Sequence, residues 1–259
     1  MLINGLDLHV VDQGGGDRTP LLLVHGFTGS DVDWADVQPS LAADRRVVSY
    51  THRGHGDSQH APSYAFDDLV GDLEALVDAL DLAPMHLLGH SMGGIVVLRY
   101  ALAHPERLRS LVLMDTFAEP AGGIASTWID AVAAKAEAEG MAGVFEMMRP
   151  FFAEAPPVIR ERVEHKMTHM DATAFVSFGR ELGSYPSMVG RLGELAALPA
   201  VTVLVGANDT NLVQPAHVMH EAIPGSTLAI IDDAGHSPQE DRPDEWLRVL
   251  REHLARAET

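Results

Sequence analysis

Leu87-Leu88-Gly89-His90-Ser91-Met92-Gly93-Gly94 is the stretch whose reading decides the fold. An apolar run, Met85 to Leu88, enters it and reads as a short buried strand. An apolar-periodic run leaves it, through Ile95, Val96, Leu98 and Tyr100 to Ala103, and reads as a helix. Between the two lies Gly-x-Ser-x-Gly. A serine on so sharp a strand-to-helix turn is forced into a strained backbone conformation, and Gly89 and Gly93 remove the Cβ atoms that would collide there. The turn lifts the Ser91 hydroxyl out of the sheet. It also aims a helix N-terminus at it, where backbone N–H groups can meet a developing negative charge. Stripped of its flanks the pattern is a glycine-rich turn with an incidental serine, which a chain with 23 glycines can produce by chance. The flanking strand and helix are what distinguish it.

Composition bounds the alternatives. A chain of 259 residues makes one large domain, or a domain with an insertion, and has room for a substantial core. Apolar residues at 46% and charged residues at 21% are ordinary for a globular protein. A formal charge of −19 disfavours nucleic acid and anionic membranes, both of which present negative surfaces. With no cysteine there is no disulfide, thiolate metal site or cysteine nucleophile. Met1-Leu2-Ile3-Asn4-Gly5 has neither the basic nor the apolar region of a signal peptide. No run approaches the roughly 20 apolar residues that span a bilayer. These features lead to the expectation of a cytoplasmic protein that acts on a small molecule, with its oligomeric state left open.

Taken in order, the chain starts with two short alternating stretches about Asn4-Gly5 and over Leu6 to Asp12, which read as an antiparallel hairpin edge. Leu21 to Val24 is a continuous apolar run, as for a strand buried on both faces. Asp31 to Leu41 carries a partial helical pattern, and Arg46 to Tyr50 is the next strand. Phe66, Leu69, Val70, Leu73, Leu76, Val77 and Leu80 recur at three- and four-residue steps, which predicts an amphipathic helix. After the opening stretch and its helix, Ser110 to Met114 is a further strand. This alternation predicts an α/β fold with a mostly parallel, doubly wound sheet.

From 117 to 198 the alternation stops. Helical runs are expected at Trp128 to Glu139, Phe145 to Phe152, Val158 to Met170 and Thr173 to Leu182, divided by Pro156-Pro157 and Pro186. The strands resume at Val201 to Val205 and Thr227 to Ile231, with helices at Pro215 to Ala222 and Pro243 to Arg256. The expected organisation is a core of residues 1–116 and 199–259, with an all-helical insertion over 117–198.

Open parallel sheets bind ligands at the carboxyl ends of their strands. At those ends lie His25-Gly26-Phe27, Ser91, Asp115, Asn208-Asp209 and Gly235-His236. A serine nucleophile needs a base, and the base needs a partner that fixes its tautomer. The strand ends offer a serine, then acids, then a histidine. Asp115 and Asp209 both end strands and compete for the acid's place, with chain order favouring Asp209. Asp232 and Asp233 stand too near His236 in sequence to orient its ring.

On these residues the chain resembles the α/β-hydrolase family over its whole length. The motifs are His25-Gly26-Phe27, Arg53-Gly54-His55-Gly56-x-Ser58, Gly89-His90-Ser91-Met92-Gly93, Gly206-x-x-Asp209 and Gly235-His236. The resemblance implies that Ser91 is the nucleophile, Asp209 the acid and His236 the base. It also implies that the backbone N–H groups of Phe27 and Met92 form the oxyanion hole, that 117–198 is a helical cap, and that no cofactor is needed. Relatives with aspartate as nucleophile are set aside, because the chain has serine there. His25 is read as structural, His90 as pointing away from the hydroxyl, and Arg53 as bracing its loop. The spacing His52-x-x-His55-x-Asp57-x-x-His60 matches no zinc motif, so no metal is expected.

The expected activity is hydrolysis of carboxylic esters of small to medium acyl chain through an acyl-enzyme. A carbon–carbon bond or enol-lactone hydrolase of the same layout is the first alternative. A ligand-binding receptor that keeps the residues but turns over negligibly is the second. Trp128, Phe145, Met147, Met148, Phe151, Phe152, Met167 and Met170 are candidates to line an acyl pocket or simply to pack the insertion.

Overall fold

The computed structural model describes residues 1–120 and 124–259, with backbone alone for 124–129. The N-terminus forms a small hairpin, β1 (Leu2–Ile3) with β2 (Leu6–Asp7), about Asn4-Gly5. The chain then leaves it, and β3 (Val10–Gln13) pairs antiparallel with β5 (Val47–Tyr50) across β4 (Leu21–Val24) in sequence. The sequence suggested one antiparallel hairpin edge made by the stretch about Asn4-Gly5 and that over 6–12. The structure divides that stretch because two residues at Leu8-His9 turn the chain from the small sheet to the large one.

Beyond a short 3-10 turn at Asp31–Trp34 and α1 (Gln38–Leu41), the elements alternate. They run through α2 (Phe66–Ala79), β6 (Met85–His90), α3 (Met92–Ala103) and β7 (Leu108–Met114). The large sheet has seven strands in the order β3-β5-β4-β6-β7, completed by β8 (Val201–Gly206) and β9 (Thr227–Ile231). All its pairings are parallel except that of β3. Strand order reverses direction at β4, whose neighbours are β5 on one side and β6 on the other. A crevice therefore opens between the carboxyl ends of β4 and β6, as expected at such a switch point.

The apolar runs suit strands buried on both faces. Leu22 and Val24 face one core with α2 and α3, while Leu21 and Leu23 face the other. The first core includes the buried stripe of α2, Phe66, Leu69, Leu73, Leu76 and Val77, each burial stabilising by about 1.5–3 kcal/mol as an upper bound. The second packs Trp34 and Leu41 against Trp246 and Leu250. Trp246 and Leu250 come from the last helix of the chain, Pro243–Glu258.

Between β7 and β8 every described element is helical. They are α4 (Ile124–Met148), a 3-10 turn at Arg149–Phe152, α5 (Pro157–Thr168), α6 (Ala172–Leu182) and a 3-10 segment at Val189–Ala197. The helical runs expected over 128–139 and 145–152 are parted at Gly140, whose backbone is non-helical (φ 68°, ψ −174°) and would strain a side chain; the second run is α-helical only to Met148 and continues as the 3-10 turn. The chain closes with α7 (Val213–Ala222), α8 (Pro238–Asp241) and α9 (Pro243–Glu258). Among the described residues no helix is long and apolar enough to cross a membrane.

Histidines are unusually numerous inside. His25, His52, His55, His86, His90 and His253 are all buried, and burial is the largest cause that lowers each one's pKa. His55 and His86 are brought down to about 4, and His90 and His253 to about 3. Below about pH 6.5 the unfolded chain takes up protons that these folded rings refuse, so their contribution to stability is lost as pH falls toward 4. We expect Tm to drop steadily between about pH 7 and about pH 5 in calorimetric scans. A flat Tm over that interval would show that these rings are not held neutral.

Candidate active site

Ser91 is the first residue beyond β6, at φ 53° and ψ −119°. A non-glycine residue in that region costs about 1–3 kcal/mol and persists only where its surroundings impose it. They do so here. The Ser91 amide donates to the Met114 carbonyl (2.9 Å). The Thr116 hydroxyl donates to the Ser91 carbonyl (2.6 Å). A Cβ on Gly93 would run into the carbonyls of Val24 and His25, and one on Gly89 into Val97 and the Gly93 carbonyl. Backbone therefore passes where no side chain fits.

The Ser91 hydroxyl donates to His236 Nε2 (3.0 Å), and His236 Nδ1–H donates to Asp209 Oδ2 (2.6 Å). Asp209 lies in the loop after β8 and His236 in the loop after β9. The two loops are joined by the Asn208 amide, which donates to the Ala234 carbonyl (2.8 Å). Asp209 is nearly buried, whereas His236 keeps about half its side-chain surface (49%), so an entering molecule can reach the ring. An imidazole so placed can take a proton from the hydroxyl while the carboxylate holds its tautomer.

Phe27 stands in the loop after β4, and Met92 opens α3 directly after Ser91. Met92 is the first residue of its helix, so no carbonyl of that helix reaches its N–H. The loop carrying Phe27 is braced by His25. Its Nδ1–H donates to the Gly26 carbonyl (2.7 Å) and its Nε2 accepts from the His52 amide (2.9 Å). His25 is thus a structural residue, and His52 and His55 pack beside it in the interior. Asp57 and His60 do not join them, so the histidine-rich loop gathers no metal-ligand set. Arg53 braces its loop with a two-pronged bond to the buried Asp72 (2.7 Å each).

His90 is the residue that the sequence left underused. It makes no bond to the Ser91 hydroxyl. Its Nε2–H donates to the His236 carbonyl (2.7 Å), with the two rings 4.9 Å apart. It therefore anchors the loop that presents His236. The signal was its place next to Ser91, but its partner is 146 positions away in sequence.

Asp115, the alternative acid, does not bond His236. Side-chain atoms of Asp115, Asp209 and His236 do converge within 4.8 Å, the one such convergence among the described residues. The imidazole nitrogen there is already engaged by Asp209, which makes this an acid–base arrangement. Asp232 contacts Arg242 by its carbonyl, and Asp233 pairs with the same arginine (3.0 Å).

A cavity of about 330 Å³ opens over Ser91 and His236. Phe27 and Phe175, stacked at 4.9 Å, wall one part, and Met148, Phe152, Val163 and Met167 wall another. Of the eight aromatic and methionine candidates, Met148, Phe152 and Met167 reach it. Phe151 and Met147 face solvent, Phe145 and Met170 pack elsewhere, and the Trp128 side chain lies outside the described residues. The wall also carries a buried ion pair unforeseen from sequence, Lys166 of α5 with Asp33. With Arg162 on Asp36 (3.0 Å), it ties the insertion to the loop after β4.

The family model described as alpha/beta hydrolase fold matches residues 19–149. The chain is 30% identical, over 97% of its length and 68% of the relative's, to the dihydrolipoyllysine-residue acetyltransferase component of an acetoin cleaving system from Pseudomonas putida. It superposes on a thermophilic esterase from Thermogutta terrifontis with a TM-score of 0.87 at 29% identity, covering 98% of this chain and 95% of that one. It superposes equally on an enol-lactonase from Burkholderia xenovorans LB400, with a TM-score of 0.87 at 25% identity, covering 98% and 99%.

The hydrogen-bonded order of Ser91, His236 and Asp209 predicts a reactive hydroxyl. A fluorophosphonate probe should attach to Ser91, as read by mass spectrometry of the labelled peptide. His236→Ala should slow that labelling by about 10²–10⁴-fold. Labelling elsewhere, or at an undiminished rate in the variant, would refute the activation of Ser91.

Proposed function

The chain belongs to the alpha/beta hydrolase fold family, and from that premise we propose that it is a serine hydrolase cleaving carboxylic esters of small to medium acyl chain. The observation that carries this reading is the continuous hydrogen bonding from the Ser91 hydroxyl through His236 to Asp209. In this reading residues 117–198 are a cap over a core of 1–116 and 199–259, and the cavity between them receives the acyl group.

Ser91 Oγ attacks the ester carbonyl carbon as His236 Nε2 takes its proton, and Asp209 stabilises the imidazolium that results. The carbonyl oxygen becomes an oxyanion facing the Phe27 and Met92 amides, each such donor being worth about 3 kcal/mol. His236 returns the proton to the departing alkoxide, which leaves an acyl-enzyme. Water, deprotonated by His236, then attacks the acyl carbon and Ser91 departs with the proton. The strain at Ser91 keeps the hydroxyl in the mouth of the cavity, and His90 keeps the His236 loop over it.

The cavity volume sets the acyl range. A cavity of about 330 Å³ walled largely by apolar side chains suits a short or medium chain. An enol-lactone hydrolase uses the same steps on a cyclic ester, and the likeness to the Burkholderia enzyme favours it as the second reading.

Hydrolysis of p-nitrophenyl esters of rising chain length separates these readings. We expect kcat/KM to peak among short to medium chains and Ser91→Ala to lose about 10⁴-fold or more. Slow ester turnover beside rapid opening of an enol-lactone would move the assignment to the second reading. A single round of acylation without turnover would refute both.

A further inference from the structure

Asp115 ends β7 and takes no part in the steps above, yet the fold goes to some length to keep it where it is. Its backbone sits at φ 43°, a left-handed conformation that is uncommon away from glycine. Its amide donates to the Leu204 carbonyl (2.9 Å), which locks it against β8. The side chain is 1% exposed. Oδ1 accepts a hydrogen bond from the Gly206 amide (3.0 Å), whereas Oδ2 is buried with no donor among the described residues. Another carboxyl, that of Asp209, converges on Asp115 together with His236, with atoms of all three within 4.8 Å of one another.

Two ionised carboxylates so placed would repel each other in a site that water does not reach, and Oδ2 would be a charged oxygen without a partner. Asp209 is the one that must stay ionised, because it accepts the His236 Nδ1–H at 2.6 Å. One proton resolves both difficulties. We propose that Asp115 is a neutral carboxylic acid whose Oδ2–H donates to the Asp209 carboxylate, and that this bond makes Asp115 a positioning residue for the acid beneath His236. Its protonation stands on Asp115's own surroundings, while its kinetic consequence rests on the serine hydrolase reading.

The groups around Asp115 agree with this. Asp209 faces it from the loop after β8, His236 lies beyond Asp209 in the loop after β9, and Asp241 adds a further negative charge from α8. Burial, reinforced by Asp209 and Asp241 and opposed by the Gly206 amide, pushes the Asp115 carboxyl up to about 8. An acid in this place does what an asparagine amide would do, but conditionally. Above that pH it surrenders its proton, Asp209 loses a donor, and two negative charges stand together.

The linkage has a definite sign. The folded protein keeps a proton that the unfolded chain releases near pH 4, so the stability Asp115 supplies is complete below about pH 4 and is lost as pH rises to about 8. Asp115→Asn carries a permanent donor and escapes that loss.

The experiment compares the wild type with Asp115→Asn and Asp115→Leu. Infrared difference spectra at about pH 7 should contain the C=O stretch of a buried protonated carboxyl in the wild type, absent from Asp115→Asn and lost from the wild type at about pH 10. The Tm of Asp115→Asn should rise relative to wild type between about pH 5 and about pH 8 and keep a constant lead above it. In ester hydrolysis Asp115→Asn should hold kcat within about threefold, whereas Asp115→Leu should lower kcat about tenfold or more with KM little changed. Identical infrared spectra, or a Tm difference independent of pH, would overturn the protonation. An Asp115→Leu enzyme as fast as the wild type would overturn the positioning role. If Asp115→Leu does not fold, the spectra and the Tm of the asparagine variant still decide. If the wild type cleaves no ester, these two measurements judge Asp115 apart from the hydrolase reading.

Discussion

The approach of Gly93 to the carbonyls of Val24 and His25 is the contact on which the rest of the site depends. It brings the first turn of α3 against the end of β4, so that the chain leaving β6 must reverse within one residue. That residue is Ser91, and its positive φ is the consequence. Strain of this kind is tolerable because the strands on both sides are locked by parallel ladders and by apolar packing on two faces. The free energy stored at one serine is small beside the burial that holds it. The return is a hydroxyl held at the strand ends, pointing into the cavity.

Around this turn the site is assembled from loops that the sheet alone brings together. The loop after β4 is braced by His25, the loop after β9 by His90 and the Asp241 carboxylate, which accepts from the Gly235 amide (2.7 Å). His25 braces through both ring nitrogens, one donating and one accepting, whereas His90 braces through its Nε2–H. Rings used in this way must stay uncharged, which couples the precision of the site to pH. The insertion is attached by the Lys166–Asp33 and Arg162–Asp36 pairs and by the Phe27–Phe175 stack, so its position over Ser91 is set partly by charge. Lys166 keeps only 12% of its side-chain surface, and removing its partner would leave a largely desolvated ammonium on the cavity wall.

Much of this was legible in the chain. Runs such as Leu21 to Val24 and the stripe of α2 announce a doubly wound sheet because burial on two faces, or on one face of a helix, leaves a period in the sequence. The motif about Ser91 was legible because only glycine permits the close approach there. The non-helical residue Gly140 falls between the two expected helical runs, but the 3-10 turn at Arg149–Phe152 that ends the second was missed, since the sequence carries no mark of the change in helix type. The split of residues 6–12 between two sheets was also missed, because edge strands carry little apolar pattern.

By itself, then, the sequence determined the alternation of strands and helices, the strained serine and the order in which acids and a histidine reach the strand ends. All of these are set by neighbours within a turn or a strand. Only the tertiary structure decided that Asp209 rather than Asp115 bonds His236, that His90 holds the His236 carbonyl, and that Lys166 and Asp33 meet on the cavity wall. Those choices rest on distances between groups brought together from different strand ends and, for His90 and Lys166, from more than a hundred residues away. A carboxylate at a strand end looks the same in sequence whether it faces an imidazole or lies behind another carboxylate, and packing alone tells the two apart.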